Sequence, residues 1–208
     1  IEYLEKDGYP PLKIYGSALE GGSLTLNGNV SSQYISALLM IAPYMEEGLD
    51  LTLAGNIISR PYIGMTLKMM KVYGVDAVWN NHMIRVRPGE YRPVRFTVES
   101  DWSAASYWYE IVSLISDAEV VLTGLQKDSV QGDSRIASFF KELGVSTKYV
   151  SDGVKLSHNG KLAKELNFDL SDQPDLAQTL VVTCVLKGVH FRFSGCLLYT
   201  SDAADDMQ

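Results

Sequence analysis

Two hydroxyls and an amide stand together at Val30-Ser31-Ser32-Gln33-Tyr34. An alternating run, residues 24–29, leads in, and an apolar run, residues 34–41, leads out. The pattern is a strand passing into a helix. The first N–H groups of a helix lack intrahelical partners, and the dipole places roughly half a positive charge there. A phosphate or carboxylate suits that place. So does a plain serine cap, whose oxygen accepts one of the free N–H bonds. Ser59 stands at a second helix start, before Arg60-Pro61-Tyr62, and Pro favours a first turn. Asp175 follows Pro174 at a third. Ser31, Ser32, Gln33 and Ser59, with Tyr62, form an anion-binding set, and Asp175 adds one carboxylate. An acidic residue at a helix start also simply answers the dipole, which weakens it as a base, whereas burial in a cleft strengthens it.

Other chemistries lack their residues. His82, His158 and His190 are scattered, with no metal-ligand spacing, so no metal is expected. No phosphate loop ending in Gly-Lys-Ser/Thr, dinucleotide fingerprint or nucleophile elbow occurs, and no cofactor is expected. A net charge of −7 without a basic stripe argues against a nucleic-acid partner. No apolar run approaches the roughly 20 residues of a membrane span. Two cysteines are too few for a disulfide framework, so a reducing cytoplasm is the expected compartment. Cys184 reads as a small core residue.

The elements that position the polar loops repeat. Residues 1–23 read as irregular. Residues 24–89 give strand, helix, strand (49–53), helix (62–73, ended by Gly74) and a hairpin around Asn80-Asn81. A second unit follows the linker 88–93. It has a strand at 96–98 and a helix with Ala104, Trp108, Ile111, Val112 and Ile115 on one face. A strand at 120–122, a helix opened by Asp133 and a hairpin around Asp152-Gly153 complete it. A third unit starts at 168–170, with a helix at 176–186 apolar nearly all round, which predicts burial, and a strand at 189–193. Leu24 and Phe96 stand 72 residues apart, as do Phe96 and Phe168. In that register Ser31, Ser103 and Asp175 coincide, and a long internal repeat signals copies of one unit. The three polar loops either face one cleft or merely cap three helices.

Four motifs occur in order: Val30-Ser31-Ser32-Gln33-Tyr34, Ser59-Arg60-Pro61-Tyr62-Ile63, Gln131-Gly132-Asp133 and Pro174-Asp175-Leu176-Ala177. As a set, over about residues 9–195, they resemble the EPSP synthase family, the 3-phosphoshikimate 1-carboxyvinyltransferases. The resemblance implies an α+β fold of repeated βαβαββ units, an inside-out α/β barrel of the enolpyruvyl transferase type, with helices inside and sheets outside. It implies transfer of the enolpyruvyl group of phosphoenolpyruvate to the 5-hydroxyl of shikimate 3-phosphate, through a tetrahedral adduct and with release of phosphate. Neither metal nor organic cofactor takes part, and the whole enzyme is a monomer. Position by position, Ser31, Ser32, Gln33 and Ser59 would hold shikimate 3-phosphate, and Gln33 would also touch phosphoenolpyruvate. Tyr62 would pack beside the shikimate ring. Asp175 would bind its hydroxyls and help take the proton from the attacking oxygen.

The departures are as informative. The family's N-terminal Lys/Ser/Arg cluster and its downstream Arg and Lys clamp for phosphoenolpyruvate have no counterpart here. The chain reads as an internal fragment with an incomplete barrel. Residues 1–92 are the end of one domain, with a unit at about 24–89. Residues 93–195 are part of the other, with one full and one partial unit. Residues 196–208 read as a non-native tail. Without the clamp this chain alone is expected not to turn over, because preorganised cations stabilise such charge. Two other readings stand beside this one. The first is a relative of the UDP-N-acetylglucosamine enolpyruvyl transferase, which shares the repeat fold but lacks the Ser-Ser-Gln pattern. The second is a repeat module without chemistry.

Overall fold

The computed structural model describes residues 1–196. A two-residue antiparallel ladder, β1 (Glu2–Tyr3) with β2 (Leu12–Lys13), opens the stretch expected to be irregular. The first unit then runs β3 (Gly22–Asn27), α1 (Ser32–Ile41), β4 (Leu49–Ala54), α2 (Arg60–Val72), β5 (Ala77–Asn80) and β6 (Met83–Val86). Its sheet order is β3-β4-β6-β5. β3 lies parallel to β4, with Leu24 opposite Leu51, and β6 is antiparallel to both its neighbours. Alternation along β4 buries Leu49, Leu51 and Leu53, as a period of two requires. Those leucines meet Ile35 and Leu39 of α1 and Ile63 of α2. The expected order βαβαββ is present, and Asn81, at φ 51, makes the hairpin turn.

The second unit runs α3 (Trp102–Leu114), β7 (Glu119–Thr123), a 3-10 turn at Gly132–Arg135, α4 (Ile136–Lys141), β8 (Val145–Val150) and β9 (Gly153–His158). The third runs β10 (Glu165–Asp169), a 3-10 turn at Pro174–Leu176, α5 (Ala177–Lys187) and β11 (His190–Ser194), with β10 parallel to β11. Trp102, Tyr109, Ile136, Phe140, Leu156 and Leu180 join one core across both units. Each fully buried side chain of this kind contributes about 1.5–3 kcal/mol. Among the described residues the core thus divides in two, one part ending at Tyr91 and the other beginning at Trp102. The whole is α+β, with mixed sheets and no closed barrel among the described residues.

Three expectations are corrected. Residues 96–98 form no strand, and the second sheet is β7-β9-β8. Phe96 instead lies against Tyr73 of the first unit, 6.2 Å between rings, and the segment meets the β7 end through Ser100 N–H donating to Gly124 O at 2.9 Å. The buried stripe of α3 is rotated from the predicted one. Trp102, Ala105, Tyr109 and Val112 face the core, while Trp108, Ile111 and Ile115 are exposed. The reason is polar anchoring: Trp102 Nε1 donates to Glu99 at 2.7 Å, and the Tyr109 hydroxyl pairs with Thr147 at 2.8 Å. Last, α5 is apolar nearly all round but not buried all round, with Val185 and Leu186 each more than 60% exposed. The helix is amphipathic only in burial, because its other face has no described neighbour. Cys184 is buried as expected. The expected tail falls mostly on residues 197–208, outside the described residues.

The two cores meet at backbone level. Ser59 N–H donates to Ser171 O at 3.0 Å, and Gly132 packs on Pro61. A Cβ at position 132 would stand 2.6 Å from the Pro61 Cβ, closer than side-chain carbons approach. Gly132→Ala is therefore expected to lower stability by about 1–3 kcal/mol, read as a lower midpoint in denaturant titration. An unchanged midpoint would mean that the units do not meet at Pro61.

Candidate active site

Each predicted side chain sits where a helix begins, and the beginnings differ. Ser31 is the N-cap of α1, and its Oγ accepts from Gln33 N–H at 3.3 Å. Ser32 is the first helical residue, and Gln33 is exposed. The cap of α3 is Asp101, which accepts from Ser103 N–H at 2.7 Å. Ser103 therefore lies inside its helix, and the equivalence of Ser31 with Ser103 holds in the repeat but not in the capping. Ser59 precedes α2 with φ 52 and makes no side-chain cap bond. That left-handed backbone costs a residue with a Cβ about 1–3 kcal/mol, and such strain collects at functional sites. Here it is held by the Ser59–Ser171 bond. Asp175 is exposed and lies in the 3-10 turn ahead of α5.

The loops before these helices are stitched in series. Gly28 N–H donates to Ala54 O at 2.7 Å, and Ile58 N–H donates to Gly28 O at 3.2 Å. A Cβ on Gly28 would meet the Asn56 carbonyl oxygen at 2.6 Å, so the two loops touch through bare backbone. Ser59 then reaches Ser171, four residues before Asp175. Backbone bonds thus link the loops before α1 and α2 to the segment leading into the turn before α5. Among the described residues no hydrogen bond joins Ser31, Ser32 or Gln33 to Asp175 directly.

Tyr62 and Asp175 are brought together. The Tyr62 hydroxyl lies 3.1 Å from Asp175 Oδ2. It also lies 2.9 and 3.1 Å from the two oxygens of Asp133. Ser103 Oγ donates to Asp133 as well. Asp133 is 2% exposed, and burial pushes its carboxyl up, with Asp175 and Asp101 adding to the rise and the bonds from Ser103 and Tyr62 opposing it. Burial, then the two carboxylates, push the Tyr62 phenol well above its ordinary value. It stays protonated at neutral pH and acts as a donor. Among the described residues neither Asp133 nor Asp175 pairs with a Lys or Arg. Arg60 turns away, its guanidinium 4.2 Å over the Trp79 ring. A cavity of about 600 Å³ opens beside the cluster, with Tyr62, Ser103 and Asp133 at its polar end and Met65, Met69 and Phe96 along its apolar wall.

Asp133 is a site residue that the sequence alone does not mark as one. Its one signal in the sequence is the Gln131-Gly132-Asp133 motif. Gln131 fixes that turn on α3, accepting from Trp102 N–H at 2.9 Å and donating to Ser100 O at 2.8 Å. Residue type alone marks Asp133 as an acid in a first helical turn, and burial against Tyr62 is a tertiary fact.

Comparison with known proteins agrees on one family. The sequence profile of EPSP synthase (3-phosphoshikimate 1-carboxyvinyltransferase) matches residues 1–199. The 3-phosphoshikimate 1-carboxyvinyltransferase of Bacteroides fragilis strain ATCC 25285 is 55% identical over 196 residues, covering 94% of this chain and 48% of that protein. The Vibrio campbellii protein of the same name is 38% identical over 188 residues, covering 89% and 43%. The chain thus spans about half the length of the curated relatives it matches. A solved EPSP synthase from Acinetobacter baumannii superposes with a TM-score of 0.60 at 20% identity, covering 86% of this chain and 41% of that one, a likeness of fold. By sequence profile and by its curated relatives, this chain belongs to the EPSP synthase family.

Proposed function

We propose that the protein carrying this segment moves the enolpyruvyl group of phosphoenolpyruvate to the 5-hydroxyl of shikimate 3-phosphate. The products are 5-enolpyruvylshikimate 3-phosphate and phosphate, on the route to chorismate and the aromatic amino acids. Beyond family membership, one observation carries the reading. The loop that leads to Ser31, Ser32 and Gln33 is tied to the segment before Asp175 by the bonds at Gly28, Ile58 and Ser59. A phosphate at the helix start and a carboxylate across the cleft are what the transfer needs.

The residue roles follow. The Ser31 cap bond uses an oxygen lone pair, which leaves its proton for a phosphate oxygen. Ser32, Gln33 and Ser59 complete the shikimate 3-phosphate site, and Gln33 also reaches phosphoenolpyruvate. With the Tyr62 hydroxyl tied to carboxylates, its ring is what it offers the shikimate carbons. Asp175 takes the proton of the attacking 5-hydroxyl. Residues 1–92 and 93–195 belong to different domains of the whole enzyme, a division that the two cores support. The enzyme works as a monomer in the cytoplasm. Among the described residues no helix is long and apolar enough to cross a membrane.

In the full-length enzyme, Ser31→Ala with Ser32→Ala is expected to weaken shikimate 3-phosphate binding. A hydrogen bond to a charged group is worth about 1.5–3 kcal/mol, or about tenfold or more for each bond lost. An unchanged Kd by calorimetry would leave these serines as caps alone. Asp175→Asn is expected to lower turnover by about 10²–10⁴ with binding less affected. A loss below about threefold contradicts the base role. The 208-residue chain alone is expected to release no phosphate from the two substrates. Turnover near 1 s⁻¹, usual for enzymes, would place a second phosphoenolpyruvate site within it.

A further inference from the structure

The geometry points to Asp133 as a positioning residue for the transfer: it holds the Tyr62 proton on its own side and so leaves Asp175 free to act as the base. The inference rests on the role proposed above for Asp175. The Tyr62 hydroxyl has one proton and faces two carboxyl groups, Asp133 at 2.9 Å and Asp175 at 3.1 Å. It fully serves only one of them. Asp133 has the better claim. It is 2% exposed, so an ionised Asp133 relies chiefly on the donors that the protein supplies, Ser103 and Tyr62. Asp175 is exposed and has water available. The titratable groups facing Asp133 are Tyr62 from α2, Asp101 at the cap of α3 and Asp175 from the turn before α5. Arg135, two residues along, lies over the Phe139 ring at 5.3 Å. Among the described residues no cation is paired with Asp133 to relieve its need for these hydroxyls.

Asp133→Asn reverses this preference. The amide oxygen still accepts from Ser103, while the amide nitrogen donates to the phenol oxygen. The phenol proton then turns to Asp175, and a carboxylate that gains a donor becomes a weaker base. In the full-length enzyme the acid limb of the kcat profile is expected to move down by about one pH unit. Turnover is expected to fall by about three- to tenfold. In a Tyr62→Phe background the same substitution loses the phenol path and keeps only the loss of the Asp133 charge near Asp175, so its cost to turnover is expected to be clearly smaller than with Tyr62 present. A purely structural Asp133 would lower the melting point and leave the acid limb unmoved, which overturns the inference. So does an equal loss in both backgrounds. Should Asp133→Asn not fold, Tyr62→Phe decides alone. It leaves the acid limb within about 0.3 units if the proton sits on Asp133, and raises it by more if the proton already serves Asp175, the contrary result. Asp175→Asn separates the two levels. If it abolishes turnover while Asp133→Asn leaves the profile unchanged, the parent reading stands and the inference fails. If it costs less than about threefold, both fail.

Discussion

One phenol hydroxyl placed between two carboxyl groups is the constraint on which the rest of this structure turns. Tyr62 comes from the first unit, and Asp133 and Asp175 from the second and third. Ionising a buried carboxyl without donors is costly, and leaving one partner unmatched costs more than the pair contributes. The bonds at Tyr62 therefore fix how the two cores approach. The bare backbone of Gly132 against Pro61 and the strained backbone of Ser59 against Ser171 serve the same approach. A larger residue at 132 or a relaxed one at 59 would part the units and separate Tyr62 from Asp175.

How much of this was legible in the sequence depends on range. The first unit was readable nearly residue by residue. Leu49, Leu51 and Leu53 alternate, Gly74 ends α2 at φ +91, and Asn80-Asn81 turns a hairpin. Each of those signals is local. The strand expected at residues 96–98 was not formed because Phe96 has a partner, Tyr73, in another unit. The face of α3 is ambiguous in sequence because Trp108, Ile111 and Ile115 match a helical period as well as Trp102, Ala105, Tyr109 and Val112 do. Period alone does not choose between two apolar stripes. The bonds from Trp102 to Glu99 and from Tyr109 to Thr147 make the choice.

The candidate site divides the same way. Ser31 was recognisable because a cap is local chemistry. The Tyr62–Asp175 meeting was reachable only through the family resemblance, since 113 residues separate them. Asp133 carried a motif but no visible role, because its role is burial beside groups from α2 and α3. The apolar surface left on α3 and α5 is the counterpart of that division. Trp108, Ile111, Val185 and Leu186 face outward in a chain that spans about half the length of its relatives.

In the proposed reaction the starts of α1 and α2 form one phosphate-binding edge facing Asp175. Amide chemical-shift mapping of the nitrogen-labelled protein carrying this segment, titrated with shikimate 3-phosphate, reads that edge residue by residue. Saturable shifts are expected together at Ser31, Ser32, Gln33 and Ser59, with a further shift at Asp175. Saturable shifts that leave both helix starts unmoved would rule the shared edge out.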